Sequence, residues 1–186
     1  TRNGIQLLYG DKTDTLLGNT KAKDRFGVVR SVADLIYHLP RRVSPRQISE
    51  MQSEFHLLEE DNNDFSMLVK VKHELHDVNS RLIFYLTCDE MMDGDTFSLS
   101  RVSEFTTGGL SMRLKNEIRT GVHPLVAEGY VEVVGGDIFD SAQLQLTDKG
   151  KALFLEEDID LYETQVPLKD LVQPDKIVET QLFFPP

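Results

Sequence analysis

Apolar residues between positions 28 and 39 recur at helical spacing and predict the first helix of the chain. They are Val28, Val29, Val32, Leu35, Ile36 and Leu39. Pro40 cannot continue a helix, so it marks the end of this one. Ser44 and Pro45 form the next start signal, because serine caps helix N-termini and proline suits the first helical position. They predict a second helix that runs to about Leu58.

Residues 65–92 carry the strongest helical pattern in the sequence. Their apolar positions step by three or four residues through Leu68, Val71, Leu75, Val78, Leu82 and Leu86. The stripe is too short for a coiled-coil seam, so we expect it to face the core. Asp77 and Asn79 favour caps over helix interiors and predict a break into two helices, and we expect Asp64 to cap the first.

A turn, a short strand and two helices are predicted next. Asp93-Gly94-Asp95 is the turn, residues 96–99 are the strand, and Ser100 is the expected cap of a short helix through Thr106. A longer helix is predicted to start near Leu110 and to end at Gly129. Its expected apolar face is Leu110, Leu114, Ile118, Val122, Leu125 and Val126.

Two alternating segments predict an antiparallel pair of strands. They are Tyr130–Val134 and Ala142–Leu146, and Thr147 then caps a final helix over Asp148–Leu155. The predicted fold class is mostly α with a small β component, in which a helical N-terminal part precedes a winged helix-turn-helix domain. The predicted regions are a helical part with a loose leader, a winged-helix domain and an acidic, proline-containing linker: residues 1–76, 77–156 and 157–186. A short strand at Ile5–Tyr9 and a short helix around Asp175–Leu182 complete the prediction.

Two stretches carry the resemblance on which the winged-helix prediction depends. LVAEGYVEVVGG and LQLTDKGKALF resemble the end of the recognition helix, the wing and the closing helix of winged-helix domains. The final segment, KIVETQLFFPP, resembles the lead-in to the nucleotide-binding core in one group of bacterial AAA-family ATPases. RLKNEIRTGVHPLVAEGYVEVV, RSVADLIYHLP and FHLLEEDNNDFSMLVKVKHEL are similar to the winged-helix-like and helical regions that precede that core.

The resemblance implies that this chain is a piece of a longer protein. It contains no GxxxxGK[ST] phosphate-binding loop, so an ATPase core would lie beyond Pro186. No nucleotide-binding residue is therefore assigned to this chain, and no cofactor is expected in it. Association into a homo-oligomer would run through the missing core.

Charge is unevenly distributed along the sequence. The net charge is −11, but residues 1–46 hold nine Lys and Arg against four Asp and Glu, whereas residues 47–186 carry a net −16. A strongly acidic protein is repelled by DNA and by anionic membranes unless its cations are concentrated. The single cysteine excludes an internal disulfide framework, and no apolar run is long enough to span a bilayer. We therefore expect a cytoplasmic protein without membrane attachment.

No catalytic or metal site emerges from the motifs. His73 and His76 are three residues apart without an evident third ligand, and Cys88 has no histidine nearby in sequence, so we expect it to be half-buried on a helix. Asp93-Gly94-Asp95 lacks the later glycine and glutamate of a calcium loop. Gly108-Gly109 fits the turn of a helix-turn-helix better than an anion site.

One helix offers candidate nucleic-acid contacts. Arg113, Lys115, Asn116 and Arg119 are the residue types that read bases and phosphates. The supplementary phosphate contacts would be Lys21, Lys23, Arg25, Arg41, Arg42 and Arg46. Against this, the wing loop carries Asp137 and Asp140 without a cation, and residues 77–155 have a net charge of −5.

The resemblance therefore implies a non-catalytic N-terminal module of an AAA-family ATPase. It would engage a partner or substrate, or regulate the ATPase, through contact with another protein or with its own ATPase domain. The alternative is a winged-helix DNA-binding transcription regulator, which the acidic charge disfavours.

Overall fold

The computed structural model describes residues 21–136 and 142–156, which are mostly helical and include a small antiparallel sheet of three strands. The chain divides into two compact units, Thr1–Gly150 and Lys151–Pro186. In chain order, the described elements are α1 (Arg25–Tyr37), α2 (Pro45–Asp61), α3 (Ser66–Glu74), α4 (Val78–Met92), β1 (Phe97–Ser98), a 3₁₀ helix (Leu99–Glu104), α5 (Gly108–Arg119), α6 (Pro124–Ala127), β2 (Val131–Val134), β3 (Gln143–Leu146) and α7 (Asp148–Leu155).

Side-chain caps set the start of the first two helices. Asp24 accepts a hydrogen bond from the Gly27 N–H, so α1 begins three residues before the predicted position. Ser44 and Gln47 form a capping box at the start of α2, and Pro45 occupies its first turn as predicted. Helix α2 continues to Asp61, beyond the predicted end.

The predicted break between α3 and α4 is confirmed. The Asp77 carboxylate accepts a hydrogen bond from the Ser80 N–H at 3.0 Å and caps α4. The expected capping role of Asp64 is wrong. The N-cap residue of α3 is Phe65, and no side chain forms a capping hydrogen bond there. Asp64 instead forms an ion pair with Lys21, whose ammonium group also lies 5.2 Å from the centre of the Phe65 ring.

Helix α4 is the central helix of the first compact unit, Thr1–Gly150. Every residue from Asn79 to Asp89 is buried, so the predicted one-sided apolar stripe describes only part of its contacts. Helix α4 packs against α1, β1, β3 and α6. Cys88 lies on this helix and is fully buried rather than half-buried, and burial raises the pKa of its thiol well above the ordinary value.

A buried ion pair joins α4 to α2. The Arg81 guanidinium donates to Glu59, with Nε 2.7 Å from Oε2, and both side chains are almost fully buried. Its Nη1 donates to the carbonyl oxygens of Leu75 and His76, and the guanidinium lies 5.8 Å from the centre of the Phe55 ring. These contacts satisfy a cation that is expensive to bury alone.

The predicted antiparallel strand pair is confirmed, and a third strand joins it. The sheet order is β1-β3-β2, with Val133 opposite Leu144 and Phe97 on the other side of Leu144. The Thr147 hydroxyl accepts a hydrogen bond from the Gly150 N–H and caps α7 as predicted. A Cβ on Gly150 would lie 2.1 Å from the Tyr130 carbonyl oxygen, so only glycine allows this close approach.

The predicted long helix from Leu110 to Glu128 is wrong. The structure contains two helices there, because Gly121 has a φ of +83° and Pro124 cannot donate the backbone hydrogen bond of a helix interior. The expected cap at Ser100 is also wrong, since the short helix is a 3₁₀ helix with Ser98 at its N-cap. Gly129 does end the second helix with a φ of +83°, as predicted.

Several predictions lie outside the described residues. They are the strand at Ile5–Tyr9, the helix around Asp175–Leu182 and the acidic wing residues Asp137 and Asp140. Among the residues that are described, no helix combines the length and apolar character that crossing a bilayer requires.

Candidate interaction surface

Helix α5 is attached to the core along one side only. Ser111, Leu114 and Ile118 are its buried residues, and their spacing of three and four places them on one face. The Ser111 hydroxyl is 2.9 Å from the Ser103 hydroxyl, which ties α5 to the 3₁₀ helix. The remaining face of α5 is directed to solvent.

The exposed side of α5 combines an apolar side chain with polar and cationic ones. Met112 is 73% exposed, and Asn116 and Arg119 follow at spacings of four and three, so the three share one stripe. Arg113 and Lys115 flank this stripe on either side. We define the α5 face as Met112, Arg113, Lys115, Asn116, Arg119 and the nearby Val122.

The cations of the α5 face lie in different surroundings. Arg113 Nε is 3.9 Å from Glu117 Oε2, at the outer limit of an ion pair between exposed groups. Lys115 is half-buried and has no ion-pair partner within the described part of the chain. Arg119 is exposed at the C-terminal end of the helix, where a cation also interacts favourably with the helix dipole.

The segment after α5 turns sharply and exposes a second apolar residue. Val122 is 65% exposed, directly after Gly121. The next residue, His123, is buried, and its Nδ1 accepts a hydrogen bond from the Leu125 N–H at 3.1 Å, which caps α6. Burial lowers the pKa of His123, although Glu117 and Asp77 act in the opposite direction, so the neutral ring is favoured.

The four predicted nucleic-acid contacts all lie on α5, and the structure brings them to one surface. Three are exposed, and Lys115 is half-buried. Leu110 and Val122 were predicted to be core residues, and both are exposed. The predicted burial of Val122 followed from extending one helix through Gly121 and Pro124, two residues whose chemistry signals the break, whereas Leu110 lies in the first turn of α5, four residues before the buried Leu114. Met112 lies outside the predicted apolar face, and it was not among the predicted contact residues.

Strands β2 and β3 and the described residues next to them provide no cation. Glu132 on β2 accepts a hydrogen bond from Gln145 Nε2 on β3, across the strand pair. Residues 131–136 and 142–146 contain no Lys or Arg. Phosphate contacts from this pair of strands are therefore not supported.

A second cluster of titratable groups joins α3 to the start of β2. The Tyr130 hydroxyl donates to Glu74 Oε1 at 2.7 Å, and burial together with this bond raises the pKa of Tyr130 to about 12. The same bond holds the pKa of Glu74 below its usual range. Lys149 Nζ lies 4.5 Å from the centre of the Tyr130 ring and donates to the Glu128 carbonyl oxygen. These contacts brace the fold.

The predicted histidine pair lies next to this cluster. The ring centres of His73 and His76 are 6.5 Å apart, and His73 Nδ1 is 3.1 Å from Glu74 Oε2. Across residues 21–136 and 142–156, no group of three His, Cys, Asp or Glu side chains is arranged to hold a metal ion.

A third cluster links α1 to the C-terminal end of α4. Arg30 Nε is 3.1 Å from Asp89 Oδ1, but this buried oxygen has no directed hydrogen bond, so the contact is an ion pair of poor hydrogen-bond geometry. Burial raises the pKa of Asp89, and Arg30 opposes the rise. Arg30 also reaches Asp93 at 3.4 Å. This cluster too is explained by helix packing.

No protein-family model, curated protein or solved structure matches this chain. The functional argument therefore depends on the surfaces of the chain itself, of which the α5 face is the most distinctive.

Proposed function

We propose that this chain is a non-catalytic winged-helix module in the N-terminal part of an AAA-family ATPase, and that it contacts a protein partner through the α5 face. The order α4, β1, 3₁₀ helix, α5, the four-residue helix α6, β2, β3 and the sheet order β1-β3-β2 support a winged-helix arrangement. In that arrangement α5 takes the position of the recognition helix. The link to an ATPase depends on the resemblance of the sequence.

The exposure of Met112 is the observation that carries the protein-contact proposal. Met112 belongs to the exposed stripe that a DNA-reading helix would present to a groove, yet its thioether offers no hydrogen-bond donor. Val122 is a second exposed apolar side chain, just beyond the C-terminal end of the helix. Methionine and arginine are both enriched in protein interfaces, where an apolar centre is surrounded by polar groups.

The charges of the α5 face indicate the chemistry of the partner. Arg113, Lys115 and Arg119 share the α5 face with Met112, while residues 77–155 as a whole have a net charge of −5. A partner segment that carries apolar anchors between carboxylates complements this face. The surrounding acidic surface would repel a similar segment that docked elsewhere.

Site-specific photocrosslinking tests this proposal in the cell. A benzophenone amino acid in place of Met112 should give a protease-sensitive adduct with one defined protein. The same amino acid in place of Val69, which is 55% exposed on α3, is the matched control and should not give that adduct. Arg113→Glu combined with Arg119→Glu should abolish the adduct at position 112. A nuclease-sensitive adduct, or equal adducts at both positions, would contradict the protein-contact proposal.

The ATPase link has its own test. The segment that follows Pro186 should encode a phosphate-binding loop within roughly a hundred residues. A protein extended through that segment should hydrolyse ATP, and Met112→Glu should change its rate while the fold stays intact. A stop codon directly after Pro186 would remove this part of the proposal and leave the α5 face untouched.

DNA binding remains the second candidate, because Asn116 and Arg119 are exposed on one stripe of α5. The charge around them predicts weak binding of random duplex DNA, at or beyond the weak end of about 10⁻⁴–10⁻⁶ M for non-specific binders. Fluorescence anisotropy at two salt concentrations measures it. Submicromolar, steeply salt-dependent binding that Arg113→Ala with Arg119→Ala weakens would favour the transcription regulator.

A further inference from the structure

The turn between α1 and α2 concentrates positive charge in an acidic protein. Residues 35–49 contain three arginines and one histidine but no Asp or Glu, whereas the chain has a net charge of −11. Helix α1 packs against α2, so the end of one and the start of the other lie at the same end of this helix pair. We define the α1–α2 tip as Tyr37, His38, Arg41 and Arg42.

Tyr37 is the most exposed large hydrophobic residue among those described, at 82%. The His38 ring meets it at nearly a right angle, with centres 5.6 Å apart. His38 Nδ1 is 2.7 Å from the Asp34 carbonyl oxygen, and this bond fixes the histidine ring beside the tyrosine. Most of the surface of Tyr37 is thus exposed to solvent, and the His38 ring beside it is held by its hydrogen bond to Asp34.

The two arginines of the tip differ from the other arginines near α1 and α4. Arg30 and Arg101 pair with carboxylates at 3.1 and 2.6 Å. Within the described part of the chain, Arg41 and Arg42 have neither an ion-pair nor a hydrogen-bond partner, and both are exposed. Their guanidinium groups are therefore available to an external anion.

We infer that the α1–α2 tip binds single-stranded nucleic acid, with a base stacked on Tyr37 and phosphates paired with Arg41 and Arg42. Aromatic side chains beside cations are the recurring platform for single strands, because every base has a π-face and every link has a phosphate. Tyrosine and arginine also occur in protein interfaces, but Tyr37 is the one large hydrophobic side chain exposed in residues 35–49, so the tip lacks the apolar centre of a protein interface. This inference is separate from the proposed function, which uses the α5 face.

Nearby carboxylates limit the affinity. Asp34 lies one turn before the tip, Glu50 pairs with Arg46 at 3.3 Å, and Glu54 follows Glu50 one turn later on α2. Phosphate binding must overcome their repulsion. We therefore expect binding that is clear at low salt and falls steeply as salt rises.

Fluorescence anisotropy with the full chain tests the inference. The probes are labelled oligothymidylate and oligouridylate of about 16 nucleotides and a random duplex, at about 50 and 200 mM salt. Tyr37→Ala should weaken single-strand binding by about tenfold with little change in salt slope, and Tyr37→Phe should restore it. Arg41→Ala with Arg42→Ala should weaken binding and reduce the slope by about 1.4, the value for two lost phosphate contacts on a single strand.

A matched variant separates the tip from the α5 face. Arg113→Ala with Lys115→Ala removes the same charge from α5 and should leave single-strand binding unchanged. Thermal melting checks that every variant is folded. We expect folded variants, because Tyr37 and all the altered arginines are exposed. Absence of saturable binding at low salt, duplex binding as tight as single-strand binding, or no effect of Tyr37→Ala would overturn the inference. The inference would also be overturned if polyglutamate displaced the labelled oligonucleotide as well as an unlabelled oligonucleotide does, because an acidic protein would then be the ligand.

Discussion

Helices α4 and α5 hold arginines in opposite environments. Arg81 on α4 is buried with Glu59 and two backbone carbonyl groups, whereas Arg113 on α5 is exposed beside Glu117 at 3.9 Å. Helix α4 is buried from Asn79 to Asp89, but α5 buries only three residues.

The difference separates the residues that hold the fold from those available for contact. A buried cation is costly unless every partner is in place, so Arg81 is committed to the structure. An exposed cation with a weak neighbour contributes little to stability and stays available to a ligand. The following experiments test this division, from the largest expected effect to the smallest.

Removing Arg81 should give the largest loss. Arg81→Ala leaves Glu59 buried without its partner and should lower the free energy of unfolding by about 3–5 kcal/mol. Urea denaturation measures the change. Arg46→Ala breaks an exposed pair with Glu50 and is the control, with an expected change below about 0.5 kcal/mol. Similar losses in the two variants would refute the contrast between buried and exposed arginines.

The close approach of Gly150 to Tyr130 should give the next largest effect. Gly150→Ala places a Cβ 2.1 Å from the Tyr130 carbonyl oxygen, and the forced shift should cost about 1–3 kcal/mol. Gly109→Ala on α5 meets no atom within 4 Å and should instead stabilise the helix by roughly 0.5 kcal/mol. Thermal melting of both variants gives the comparison, and a loss at position 109 would mean that the exposed side of α5 is in fact packed.

His123 should make stability depend on pH. Its folded pKa lies below the ordinary 6.5, so the unfolded chain binds a proton more readily. The contribution of the neutral His123 ring to the free energy of unfolding is therefore complete above about pH 6.5. It decreases as the pH falls below that value, by at most about 1.4 kcal/mol per pH unit. His123→Asn retains a capping side chain and should lose this dependence between pH 7.5 and about 5.5. Parallel curves for the two proteins would show that His123 does not titrate in this range.

Changes on the α5 face should leave stability almost untouched. Met112→Ala with Arg113→Ala should shift the free energy of unfolding by less than about 0.5 kcal/mol, because neither side chain contributes to the core. Urea denaturation detects any larger loss. Such a loss would place the two side chains among the residues that hold the fold, and it would remove them as candidates for partner contact.

The sequence by itself determined the local signals of this protein. Ser44 with Pro45, Asp77, Gly129 and Thr147 mark helix ends that the structure confirms, because capping and breaking act within one or two turns of chain. Alternation likewise predicted β2 and β3, since the two faces of a strand differ in burial. The sequence also predicted that the three cations and one amide of α5 lie on one helix.

Only the tertiary structure decided which sides of each helix are covered. The burial of α4 on all sides, the pairing of Arg81 with Glu59 and the solvent exposure of Met112 depend on neighbours distant in the chain. Local periodicity cannot report those neighbours, because a helical pattern records which residues share a face but not what packs against it. The same reason left Tyr37 unnoticed in sequence: its exposure follows from the position of the α1–α2 tip at the end of a packed helix pair.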